Sequence, residues 1–126
     1  MHFTTTIPIL RIFDEAVAHD FYIGFLGFAI DWQHRFADDL PLYLQVSRGG
    51  CVLHLSGHHG DACPGAAVRI ETHGIEDLHH ELAAKQYKFA RPAQEPTPWG
   101  SLDLRLTDPF GNRLIFSAEP AAASGY

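Results

Sequence analysis

The stretch Thr97-Pro98-Trp99-Gly100-Ser101-Leu102-Asp103-Leu104-Arg105-Leu106-Thr107-Asp108-Pro109-Phe110-Gly111-Asn112-Arg113-Leu114-Ile115-Phe116 decides the fold of this chain. It reads as two period-2 runs around a turn. Asp108, Pro109 and Gly111 fill the first, second and fourth positions of a type I turn, each with a residue favoured there. Leu102, Leu104 and Leu106 alternate with Asp103, Arg105 and Thr107. After the turn, Leu114 and Phe116 alternate with Arg113, Ile115 and Ser117. Alternate residues of a strand face opposite sides. The stretch is therefore a hairpin with one apolar and one mixed face.

One order of elements is read twice along the chain, and this hairpin closes the second copy. Pro8–Phe13 reads as a strand, and Asp14 as the N-cap of a helix over 15–25. Val17, Phe21 and Phe25 form an apolar stripe on that helix. Gly27 stops it. Strands follow over 29–36, 42–48 and 51–56, with Arg48-Gly49-Gly50 as the tight turn between the last two. The order then restarts with a strand over Ala66–Glu71. A helix over 75–85 presents Ile75, Leu78 and Leu82 on one face. Glu76 and Asp77 in its first turn and Lys85 near its end suit the helix dipole. Strands near 88–92, 101–107 and 112–117 complete the second copy. The expected class is α+β, with two tandem βαβββ modules forming a curved mixed sheet around a cleft and helices on the outer face. One domain over 1–126 contains module one (about 5–57), a linker (58–64), module two (about 65–119) and a flexible tail (120–126). Each module is roughly 55 residues, small for independent stability.

Face sorting separates core from candidate site. Leu53 and Leu55, Val68 and Ile70, Leu104 and Leu106, and Leu114 and Phe116 belong to the side the helices cover. His54 and Ser56, Arg69 and Glu71, Asp103 and Arg105, and Arg113, Ile115 and Ser117 occupy the other, a mixed face suited to lining a ligand cleft.

With 126 residues, 46% hydrophobic and 19% charged, the chain is long and apolar enough for one folded domain. No apolar run approaches the roughly 18–20 residues of a membrane span, and no signal peptide is read at the N-terminus. A cytoplasmic protein with Cys51 and Cys63 reduced is expected. The net charge of −6 disfavours nucleic acid as a partner and suits a cationic small ligand.

The two modules and the closing Asp-Pro-x-Gly-Asn turn resemble the glyoxalase/bleomycin-resistance/dioxygenase superfamily, also called vicinal oxygen chelate. Leu26-Gly27-Phe28 and Pro98-Trp99-Gly100 look most like bleomycin resistance proteins. The resemblance spans about residues 5–119. It implies a homodimer with clefts between subunits that sequesters a cationic or aromatic antibiotic of the bleomycin type, without a cofactor and without breaking a bond. Metal-using members place ligands at four strand positions, which align here with Ile7, His54, Ala67 and Ile115. Only His54 among these can hold a metal, so glyoxalase, thiol-transfer and dioxygenase chemistry are not expected. The alternative is a divalent-metal lyase or dioxygenase with a rearranged site using His54.

The ligand-binding candidates are Trp32, Phe36, His54, Trp99, Asp103, Arg105, Phe110 and Ile115. The aromatics offer flat surfaces for stacking, with core packing as the competing role for each. Asp31, Asp38, Asp39 and Asp103 are acidic partners for a cation. No metal site is expected; His54, His58, His59 and Asp61 are close enough in sequence to be weak candidates for a surface one, but a polar loop joining the modules is the expected reading. His79 and His80 read as solvated helix residues. A nucleophilic Cys63–His59 pair lacks an orienting third group.

Overall fold

The computed structural model of the protein describes residues 1–87, 94–98 and 100–118. The chain divides into two units at Pro64–Gly65, each with a helix and a four-stranded mixed sheet. The α+β class and the tandem modules are those expected.

In the first unit β1 (Ile9–Arg11) leads into α1 (Glu15–His19), which continues as π-helix over Asp20–Phe25. β2 (Ala29–His34), β3 (Tyr43–Arg48) and β4 (Cys51–Ser56) follow. The strand order is β1-β4-β3-β2, with β1 parallel to β4 and the other pairs antiparallel. β1 is shorter than the expected Pro8–Phe13. Pro8 has no N–H to donate, though its carbonyl accepts from His54 N at 3.0 Å, and Ile12 N reaches Ser56 O at 2.9 Å. Beyond Ile12 the chain turns into the cap. Asp14 Oδ1 accepts from Val17 N at 2.9 Å, satisfying one of the helix's free amides.

The helix covers the expected residues, but its second half widens. Leu26 N donates to Phe21 O, five residues back, at 2.9 Å, and Phe28 N donates to Tyr22 O at 2.9 Å. Ala18, Tyr22 and Leu26 are buried beside Phe21 and Phe25, while Val17 is 39% exposed. The buried stripe is thus shifted from the expected Val17, Phe21 and Phe25. These aromatics pack edge-on, with Phe21 and Tyr22 rings 5.0 Å apart. They cover Leu10, Ile12, Leu44, Val46, Leu53 and Leu55, all buried.

In the second unit β5 (Ala67–Glu71) precedes α2 (Ile75–Lys85), then β6 (Gln94–Pro96), β7 (Leu102–Thr107) and β8 (Arg113–Ala118). The order is β5-β8-β7-β6, with β5 parallel to β8. The strand expected near 88–92 lies outside the described residues, as does the tail 120–126; β6 pairs with β7 on the side away from β8. The core joins Ile75 and Leu82 of α2 to Leu104, Leu106, Leu114 and Phe116.

The β7–β8 turn forms as its sequence requires. Gly111 N donates to Asp108 O at 3.2 Å, and Asp108 Oδ1 accepts from the amides of Phe110 and Asn112, each at 2.8 Å. Gly111 has φ 92°, a conformation natural to glycine alone. Among the described residues no helix is long and apolar enough to cross a membrane.

Candidate functional site

The helix-free face of the first sheet carries a connected aromatic and polar cluster. The turn at Gly49-Gly50 pairs Arg48 with Cys51, and the register then places Gln45 opposite His54 and Tyr43 opposite Ser56. Tyr43, Gln45 and Ser47 therefore share His54's face, while Leu44 and Val46 face the core. In β2 the register shifts between Ile30, opposite Val46, and Trp32, opposite Gln45. Asp31 is the extra residue of a β-bulge. Such a bulge re-aims side chains, and here Asp31 and Trp32 both address this face.

Gln45 Nε2 donates to Asp31 Oδ2 at 3.0 Å, and the Ser47 hydroxyl donates to Oδ1 at 2.9 Å. These bonds hold the Asp31 carboxyl below its ordinary pKa. His54 Nε2 lies 2.9 Å from Gln45 Oε1, and His54 Nδ1 lies 2.6 Å from the Tyr43 hydroxyl. Burial, followed by the negative charge of Asp61, pushes the Tyr43 phenol up. Trp32, 44% exposed, lies nearly parallel to Tyr43 at 6.0 Å and edge-on to His54 at 5.2 Å.

Of the expected residues in this unit, Trp32 and His54 are thus brought into contact. Phe36 stands 72% exposed against the rings of His34 (4.5 Å) and His58 (5.9 Å). His58, His59 and Asp61 do not converge. Asp61 accepts from the Ser56 hydroxyl at 2.6 Å, and that hydroxyl oxygen accepts from His58 N at 3.1 Å. Asp38 and Asp39 are exposed in the loop after β2.

In the second unit the register sets Arg69, Ile115 and Arg105 in one row of the helix-free face, beside a row of Glu71, Ser117, Asp103 and Glu95. Asp103 has no exposed surface. Its Oδ1 accepts from Ser117 Oγ at 2.7 Å, Ser101 Oγ at 3.2 Å and Arg69 Nη2 at 3.3 Å. Arg105 Nη2 approaches Oδ2 at 3.5 Å. Burial pushes this carboxyl up, but the bonds from Ser117, Arg69 and Ser101 and the Arg69 charge outweigh it and hold the group below its ordinary range. Asp103 is occupied by its own protein's donors, and the exposed charge of this region is mixed: Arg69 and Arg105 are 43% and 47% exposed, and Glu95, 62% exposed, lies 3.8 Å from Arg105 Nε. Phe110 is half-buried at the turn tip. Trp99 lies outside the described residues.

The residues at the family's metal positions do not fit a metal. Ile9 faces His54 across the parallel β1–β4 pair, with Ile7 just before that strand. Ala67 pairs with Arg113, and Ile115 with Arg69. His54 already has a partner at each ring nitrogen. Among the described residues no three His, Cys, Asp or Glu side chains gather as ligands. Both cysteines are free, and burial raises the Cys51 thiol's pKa.

Among the described residues of the first unit, two concavities stand out. One of about 220 Å³ lies between helix and sheet, lined by Ile12, Tyr22, Ile30 and Leu44 among others. The other, about 530 Å³, lies where the helix start meets the loop after β2. Neither includes Trp32, Tyr43 or His54. The site is assigned to the helix-free face because the chemistry is concentrated there.

Sequence reasoning passed over Tyr43 and Gln45, and it placed Arg69 on the mixed face without naming it as a ligand contact. The signal for the first two was present, because a two-residue turn at Gly49-Gly50 fixes which residues face His54.

Residues 1–122 match the family model described as glyoxalase superfamily protein. No curated protein matches the chain. Among solved structures, a bleomycin-binding protein from bleomycin-producing Streptomyces verticillus, complexed with copper(II)-bleomycin, is 27% identical. Its TM-score is 0.68, covering 95% of this chain and 99% of that one. A bleomycin-binding protein complexed with bleomycin is 19% identical, with TM-score 0.73 and coverage of 94% and 100%. A member of the glyoxalase/bleomycin resistance protein/dioxygenase superfamily from Sphaerobacter thermophilus is 19% identical, with TM-score 0.70 and coverage of 93% and 98%.

Proposed function

The chain belongs to the glyoxalase superfamily, and from that premise we propose that it is a metal-independent small-molecule binder of the bleomycin-resistance type. It sequesters a cationic or aromatic antibiotic, and it does so as a cytoplasmic homodimer. The observation that carries this reading is the exposed Trp32 ring on the helix-free face, set beside Tyr43 and the Asp31 carboxylate. A flat ring gains from stacking there, and a carboxylate favours a cationic group nearby. The apolar residues at Ile7, Ala67 and Ile115 support binding over metal catalysis, since divalent-metal chemistry needs three or four converging ligands. The bleomycin complexes of the structural neighbours point to the same ligand class.

Titration calorimetry with metal-free and copper-bound bleomycin tests the proposal, with copper-only controls for the exposed histidines. Saturable heat is expected, and Trp32→Ala should weaken binding by about tenfold or more, the scale of one lost stacking contact. No heat and no thermal shift across a panel of cationic glycopeptides refutes it. Metal analysis of untagged protein should find well under one ion per chain. A stoichiometric ion lost in His54→Ala would restore the enzyme alternative.

A further inference from the structure

We propose that the Asp31–Gln45–His54–Tyr43 chain has a fixed hydrogen-bond direction that leaves the Tyr43 oxygen as an acceptor, so that the site selects flat aromatic ligands bearing N–H donors. This deepens the reading above and rests on it.

The direction follows from the donor inventory of each group. An ionised carboxylate only accepts, and Asp31 receives bonds from Gln45 Nε2 and Ser47 Oγ. The Gln45 amide must therefore turn its NH₂ toward Asp31. Its oxygen is left facing His54 Nε2 at 2.9 Å. An amide oxygen only accepts, so His54 carries its proton on Nε2. In the neutral imidazole Nδ1 is then a bare lone pair, to which the Tyr43 O–H, 2.6 Å away, donates. The Tyr43 proton is thereby committed inward. What remains on the phenol is lone-pair density, on the ring stacked beside the part-exposed Trp32.

Each link has a separate structural cause. The bulge in β2 supplies the carboxylate. The Gly49-Gly50 turn sets Gln45 against His54. Asp31 and Gln45 are positioning residues, and Tyr43 is the residue that discriminates between ligands. A ligand offering an amino or amidinium N–H is matched, whereas one offering only acceptors or methyl groups meets an oxygen with no proton to give. Leaving such a group unpaired is what makes polar sites selective.

Two measurements on the whole protein test this. Nitrogen-15 NMR of the histidine side chains should show His54 protonated on Nε2 with Nδ1 bare; the opposite tautomer overturns the proposal. Absorbance titration then compares thionin with methylene blue, which share a phenothiazinium ring of fixed charge without a ring N–H but differ in having amino groups or dimethylamino groups. Thionin should bind the native protein about tenfold tighter. In Tyr43→Phe, which keeps the ring, the preference should collapse to within about twofold, with folding checked by thermal melting. Equal affinities in the native protein, or a preference unchanged in Tyr43→Phe, overturn the acceptor role while leaving the binding reading intact. Failure of both dyes to bind overturns the reading of this face as a ligand site, and the acceptor role with it.

Discussion

Asp103 lies on the polar side of its strand, yet it is fully buried. Two hydroxyls and two guanidinium groups close over it, so a carboxylate on a ligand-facing row behaves as the centre of a structural network. Its native pKa lies below the ordinary value near 3.8. The sign of the pH effect follows. Above that value the carboxylate's contribution to stability is complete; as pH falls below it, the unfolded chain takes up the proton first and the contribution is lost. Asp103→Asn should lower unfolding free energy in urea by about 1–3 kcal/mol near neutral pH. The gap from the native protein should narrow as pH falls from neutrality through the ordinary carboxylate value and below it. A gap constant over that range would show that the carboxylate's charge does not matter. Asp31 is held low in the same sense but at the surface, so its effect belongs to the site rather than to stability.

At the scale of elements, two helix ends invite measurement. Asp14→Ala removes the side-chain cap on Val17 N and should cost about 1 kcal/mol in chemical denaturation. Gln86, closing α2, has φ 50° and ψ 45°, a left-handed conformation disfavoured for a residue with a Cβ. Gln86→Gly should raise stability by about 0.5–1 kcal/mol, seen as a higher urea midpoint; an unchanged or lower midpoint contradicts this. The elements were legible where local chemistry dictates them. Asp108-Pro109-x-Gly111 specifies its turn, and Leu104 and Leu106 specify their face without help from the rest of the chain. The cluster around His54 was legible in principle, because a two-residue turn fixes register by arithmetic. The bulge at Asp31 was not, since nothing in Ile30-Asp31-Trp32 marks an extra residue until a partner strand is aligned beside it. The π-helical turns were hidden for a similar reason. Phe21, Tyr22 and Phe25 suit either helix, and packing of three aromatic rings selects the wider one.

For the whole molecule, the repeated order of strand, helix and three strands was the most visible feature, and it is what placed the chain in its family. The ligand was less visible, because binding a small molecule needs no fixed set of residue types as metal chemistry does. Oligomeric state belongs at this scale. A two-fold assembly would cover strand edges that each sheet leaves open. Sedimentation at tens of micromolar should give roughly twice the 14.0 kDa chain mass; the mass of one chain would refute the dimer.

The π-helical segment also bears on how this chain can change length. Six residues, Asp20–Phe25, occupy turns in which hydrogen bonds reach five residues back. Losing Gly24, exposed on that segment, lets the ladder close as ordinary α-helix. Losing Asp31 likewise regularises β2 and keeps Trp32 opposite Gln45, but it deletes the carboxylate that orients Gln45. The two segments that hold a surplus residue are therefore where shortening is best tolerated by the fold, and only the second exchanges that tolerance for the selectivity of the face it serves.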